Sequence, residues 1–110
     1  MTLDEQKPTP DLTDLLNQLW MRFLPDINER VAILETAGHA GKITPEQREA
    51  AHAAAHKLAG SLGIFGLARG SELAREFEQM CASDQAFNSA QNMRLAALAA
   101  EIRTIIETRG

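Results

Sequence analysis

The chain has 110 residues and a formal net charge of -4, from 11 Lys and Arg against 15 Asp and Glu. One domain is expected, and the overall basic balance that draws proteins to nucleic acid is absent. The 45% hydrophobic fraction rests mainly on Ala and Leu, aromatics are 5%, and there is no Tyr, a balance that favours helices over sheets. Cys81 is the one cysteine and excludes an internal disulfide. No secretory signal opens the chain, so the cytoplasm is the expected compartment, and no apolar run approaches the ~20 residues of a membrane span.

Residues 1–10 mix charge with two prolines and lack periodicity, which predicts a mobile tail ahead of a domain over 11–110. From there Leu12, Leu15, Leu16, Leu19, Phe23, Ile27, Val31 and Leu34 recur at helical spacing. Pro25 lies inside this stripe. Proline removes a backbone donor and crowds the preceding turn, so a break or strong kink is expected near Leu24 and Pro25. Gly38 and Gly41 close the segment, with His39 between them in an exposed connection.

Thr44, Pro45 and Gln47 form a helix start: a capping hydroxyl, a proline at the first helical position and the partner of a capping box. This second helix is expected to run to about Phe65, where Gly66 ends it. A third is expected over residues 68–82 with Leu73, Ala74, Phe77, Met80 and Cys81 inward, and with its Arg and Glu residues on a solvated face. A fourth is expected from Asn88 or Ser89, with Met93, Leu95, Leu98, Ala99, Ile102, Ile105 and Ile106 as its stripe. Short connections between long amphipathic helices predict an all-α, antiparallel up-down four-helix bundle with an additional or kinked N-terminal helix.

The second helix carries the chemistry. At about 100° per residue, Ala51, Ala54, Leu58, Leu62 and Phe65 share one side, and His56 lies on the other. Around His56 lie His52, Ala53, Ala59, Gly60 and Gly63, nearly all of them small. A surface helix ordinarily covers its solvent side with Lys, Glu or Arg, as Glu46, Arg48 and Glu49 do one turn earlier. Glycine inside a helix costs roughly 0.5–1 kcal/mol relative to alanine. Two glycines on the side of one nucleophilic imidazole therefore point to access by something large. An isolated surface histidine is the bland reading, and the bare patch argues against it.

Other chemistries are less well supported. His52 and His56 are four apart and face one way, and Glu49 stands three before His52. Two histidines and one exposed glutamate make a poor closed site, and no metal is expected. The Gly60, Gly63 and Gly66 spacing is neither a dinucleotide fingerprint nor a Walker loop. Ser61 points away from His56, so no hydrolytic pair forms. Cys81, on the apolar side of its helix, is expected to be inert.

The run His56-Lys57-Leu58-Ala59-Gly60, with Gly63 and Gly66 following, resembles the phosphohistidine motif of the histidine-containing phosphotransfer (HPt) domain family. The helix beginning Leu67-Ala68-Arg69-Gly70-Ser71-Glu72 also resembles the one that follows the site in that family. One position departs: many members carry lysine three residues after the histidine, where this chain has Ala59, and its nearest basic residue is Lys57.

The resemblance covers almost the whole chain and implies a phosphorelay intermediate, a carrier rather than a kinase. A response-regulator receiver domain bearing phosphoaspartate would dock around His56 on His52, Ala53, Ala59, Gly60 and Gly63. His56 would take the phosphoryl group and pass it to another receiver, with Lys57 as the supporting charge. A hybrid sensor histidine kinase is a further implied partner class, whereas ATP, a resident metal or other cofactor, nucleic acid and membrane are not implied. The alternative is a non-catalytic helical module that docks receivers without accepting phosphate. The initial Met and compact length favour a free-standing protein.

Overall fold

A computed structural model describes residues 12–110, and the tail expected over 1–10 lies outside the described residues. Four helices follow one another: α1 (Leu12–Gly38), α2 (Pro45–Ile64), α3 (Ala68–Cys81) and α4 (Ser89–Arg109). The packed pairs are α1 with α2, α2 with α3, α3 with α4 and α4 with α1, so the bundle closes as a square and the diagonal pairs do not pack. Among the described residues there is no strand.

Helix α1 is continuous through Pro25. The expected break does not form because Pro25 and Met21, whose carbonyl loses the proline's missing donor, both face solvent. Water can serve that carbonyl, while Ile27, Val31 and Leu34 stay fully buried along the inner side. The apolar stripe of α1 also differs from expectation at its start. Leu12, Leu15, Leu19 and Phe23 are exposed, and the first buried residue is Trp20. The neighbouring helices end at that level. Phe65 meets Trp20 edge-to-face at 5.2 Å, and Arg109 stacks its guanidinium 4.8 Å from the Trp20 ring while donating to Asn17 at 2.9 Å.

Helix α2 begins as the sequence predicts. The Thr44 hydroxyl accepts from the Gln47 amide at 3.0 Å, and the Gln47 side chain accepts from the Thr44 amide at 2.9 Å. It ends in a Schellman turn: the Leu67 amide donates to the Leu62 carbonyl, the Gly66 amide donates to the Gly63 carbonyl, and Gly66 takes a φ of 75°. Helix α4 starts on a second capping box, between Asn88 and Gln91. Met93, expected inward, is exposed instead, and Asn92 beside it turns toward the α1–α2 connection and donates to the Gly41 carbonyl at 3.1 Å.

The core runs along all four helices. Trp20, Phe77, Ile27, Leu34, Leu58, Leu62, Leu73, Leu95, Leu98, Ile102 and Ile106 are its largest fully buried side chains. The charged side chains of α3 lie on an exposed face, as the sequence implies, and some of them also join helices across it. Glu76 accepts from Arg94 at 2.6 and 2.7 Å across α3 and α4, and Arg69 donates to Glu101 at 3.1 Å. Arg48, also expected to face solvent, donates to the carbonyls of Met80, Cys81 and Gln85 and lies 4.1 Å from the Phe87 ring centre. It thereby satisfies carbonyls that the end of α3 leaves without helical partners.

Candidate functional site

Helix α2 buries Ala51, Ala54, Ala55, Leu58, Ala59 and Leu62. Its outer side leaves Ala53, His56, Lys57, Gly60, Gly63 and Ile64 exposed, with His52 half-buried at the edge. The His56 side chain is 72% exposed. Gly60 and Gly63 have ordinary helical backbone rather than positive φ. A Cβ added at Gly60 would meet nothing within 4 Å, and one at Gly63 would meet only the Ser71 hydroxyl oxygen, at 3.5 Å. Packing therefore requires glycine at neither position, and the surface beside the imidazole is left low.

Ala59 is a correction. It is only 5% exposed and belongs to the core, facing α3 rather than the surface around His56. Its carbonyl accepts a 2.7 Å bond from the buried Ser71 hydroxyl. Three residues beyond His56 the helix has turned into the α2–α3 contact, so this position is not part of an exposed docking face.

The α2–α3 contact also supplies a residue that the sequence reading did not single out. The His56 Nδ1 lies 2.8 Å from Oε2 of Glu78 on α3, and His52 Nε2 stands 3.9 Å from the same oxygen. A carboxylate only accepts, so Nδ1 donates and Nε2 is the ring nitrogen outside this bond. The longer contact to His52 exceeds hydrogen-bond range. Glu78 shares a stripe of α3 with Ser71 and Ala74, at three- and four-residue spacing, and that stripe faces α2. In an antiparallel pair, residues similarly distant from the connecting turn come opposite one another. Counting outward from Leu67 in the connecting turn reaches His56 on one side and Glu78 on the other, and that count was the available signal.

Lys57 occupies the other flank. It lines a shallow groove of about 250 Å³ with Asp26, Glu29 and Arg30 of α1, whereas His56 leans on α3. Cys81 is buried, and burial pushes its thiol up to about 11, which leaves it an unreactive packing residue. His39 receives no part in the site; its Nδ1 lies 2.8 Å from the Glu35 carbonyl at the end of α1. Among the described residues no three His, Cys, Asp or Glu side chains are grouped as a metal site, and no helix is long and apolar enough to cross a membrane.

An all-helical bundle that exposes one histidine on a surface of small residues defines a class of group-transfer or docking module. The sequence profile of the Hpt domain matches residues 18–108, and the chain belongs to that family. Among curated proteins, protein RcaC of Microchaete diplosiphon is 39% identical over 66 residues, which cover 57% of this chain and 10% of that protein. The chain thus spans about a tenth of the length of the curated relative it matches. No solved structure gives a significant match.

Proposed function

We propose that His56 is the phosphorylated residue of a multistep two-component phosphorelay. It accepts the phosphoryl group from the phosphoaspartate of one receiver domain and passes it to the aspartate of another, working in the cytoplasm. The observation that carries this reading is an imidazole 72% exposed on α2, with Nδ1 engaged and Nε2 left for attack. Neutral imidazole is nucleophilic near neutral pH, and phosphoryl transfer depends mainly on positioning and charge neutralisation.

Receivers dock on His52, Ala53, Gly60 and Gly63, where the low surface lets a second protein bring its aspartate to the ring. Lys57 supports the phosphoryl group from the α1 side as a flexible point charge. Because Lys57 is exposed, its contribution is about 0–1 kcal/mol. Lys57→Ala therefore lowers the phosphorylated fraction modestly rather than abolishing it.

The test is transfer of labelled phosphate from a panel of phosphorylated receivers to the full chain and to His56→Gln. The wild type takes up acid-labile, base-stable label and the variant takes up none, while both keep the same helical content. Label persisting in the variant, or mapping to His52 or His39, overturns the assignment.

A further inference from the structure

We propose that the first turns of α1 form a self-complementary surface on which a second copy of this chain pairs, giving a reversible two-fold dimer. Leu12, Leu15, Leu19 and Phe23 are 71%, 45%, 40% and 43% exposed, and Ile64 at the end of α2 is 71% exposed. The intervals of three, four and four residues from Leu12 to Phe23 set these side chains in one stripe, the pattern by which a helix meets another helix. At about 100° per residue, Thr13, Asp14, Asn17 and Gln18 lie on other sides of α1, so no charge interrupts the stripe.

The fold leaves this stripe without a cover. It lies on the flank of α1 that faces α2, where the Phe23 and Phe65 rings stand 6.4 Å apart. On the opposite flank Asn17 and Asn28 accept from Arg109 and Arg103 of α4. Helix α2 ends at Ile64 and the chain turns at Gly66 into α3, so the turns of α1 from Leu12 to Leu19 run on past the end of α2. Residues 1–11 do not supply a cover of matching size: their large apolar side chains are Met1 and Leu3, set among Asp4, Glu5, Lys7 and Asp11.

A two-fold contact needs one patch that complements itself after half a turn. A straight apolar stripe on a helix meets that condition. Two antiparallel copies bring Leu12 of one against Phe23 of the other, with Leu15 and Leu19 meeting between them. The stripe is about 16 Å long at 1.5 Å per residue. Together with Ile64, its exposed fractions amount to between two and three whole apolar side chains, on the order of 500 Å² per copy. Both copies together reach about 1,000 Å², the low end for a specific interface, so the dimer is weak and set by protein concentration. Pairing leaves His56 open, because the imidazole lies about 12 Å along α2 from Ile64.

The experiment is sedimentation equilibrium of the full chain from micromolar to millimolar concentration, as wild type, Leu19→Glu and Met21→Glu. Met21 is 62% exposed on another side of α1 and serves as the control. The wild type should rise with concentration from the 12.0 kDa of one chain toward twice that mass. Leu19→Glu places a charge in the seam and should weaken association by roughly tenfold or more, while its helical content and melting stay those of the wild type. Met21→Glu should associate as the wild type does. The register is read by mixing Leu12→Cys with Phe23→Cys under mild oxidation: the mixed disulfide should form faster than either variant's link to itself, Cys81 being buried. A wild type that stays monomeric throughout overturns the proposal, and does so equally if a receiver domain then binds through Leu19. A dimer that Leu19→Glu leaves intact, or that Met21→Glu breaks as fully, overturns the choice of face. The readout involves no phosphate, so failure of the His56 assignment and failure of this dimer are told apart.

Discussion

At the scale of single residues, the site is defined as much by what is missing as by what is present. Open space around Gly60 gives a two-sided prediction. Gly60→Ala should stabilise the fold by about 0.5–1 kcal/mol, since the helix gains propensity and nothing is displaced. Gly60→Leu should melt near the wild-type temperature yet slow transfer from a receiver, because the added side chain projects where the partner must approach. Transfer at the original rate would end the access explanation for the glycine. Ala59 gives the opposite case. The lysine common in the family would here start from a buried Cβ against α3, so Ala59→Lys should lower the urea midpoint by the equivalent of about 1–3 kcal/mol. An unchanged midpoint with a raised phosphorylated fraction would show that the lysine stem escapes to the surface. The position of His56 was legible from the helical period alone. The burial of Ala59 was not, because a helical wheel says which residues share a side but not how wide the neighbouring helix makes the contact.

At the scale of elements, close approach of backbones decides which glycines are structural. A Cβ on Gly38 would lie 2.9 Å from the Ala96 Cα and 3.0 Å from its amide nitrogen, both backbone atoms that cannot swing aside. Gly38→Ala should therefore push α1 from α4 and cost about 1–3 kcal/mol, read from thermal or urea unfolding. Gly63→Ala, whose added methyl would meet Ser71 at an ordinary 3.5 Å, should be neutral or mildly stabilising in the same assay. Similar losses at both positions would show that packing, not access, keeps glycine at 63. Helix starts were readable because capping is local: Thr44 with Gln47 satisfies its own first turn. The continuity of α1 through Pro25 was not, since it depends on which side of the helix the neighbours cover. Glu78 was hidden for a similar reason: its partner lies across a helix pair, and only the register set by the turn at Gly66 brings the two together.

At the scale of the whole molecule, α2 carries the site while α4 packs on α1 and α3 and leaves α2 free of diagonal contact. Two arginines of α4 clamp that frame. Arg103 donates to Glu35 of α1 at 2.8 and 3.1 Å and to Asn28 at 3.2 Å, and Arg94 holds Glu76 of α3. The bundle architecture followed from amphipathic period and short connections, yet these clamps look in sequence like ordinary surface charge. The Arg103 clamp also acts on the acidity of Glu35. The bond from Arg103 lowers its carboxyl below the ordinary 4.5, outweighing the upward push of burial, and the Arg103 and His39 charges add to the lowering. A carboxyl whose folded value lies below its unfolded one binds protons more readily in the unfolded chain. Its contribution to stability is therefore complete above the unfolded value and is lost as the pH falls through the folded one. Both partners are partly exposed, at 25% and 35%, so solvent screening limits the pair to about 0.5–1 kcal/mol. Glu35→Gln should accordingly unfold more readily than wild type at neutral pH by about that amount. The gap should close as the pH drops below the carboxylate range, where wild-type Glu35 is itself protonated and the ion pair is gone. Urea unfolding of both proteins along a pH series measures this. A gap that persists unchanged in acid would mean that Glu35 acts through shape and packing rather than through its charge on Arg103.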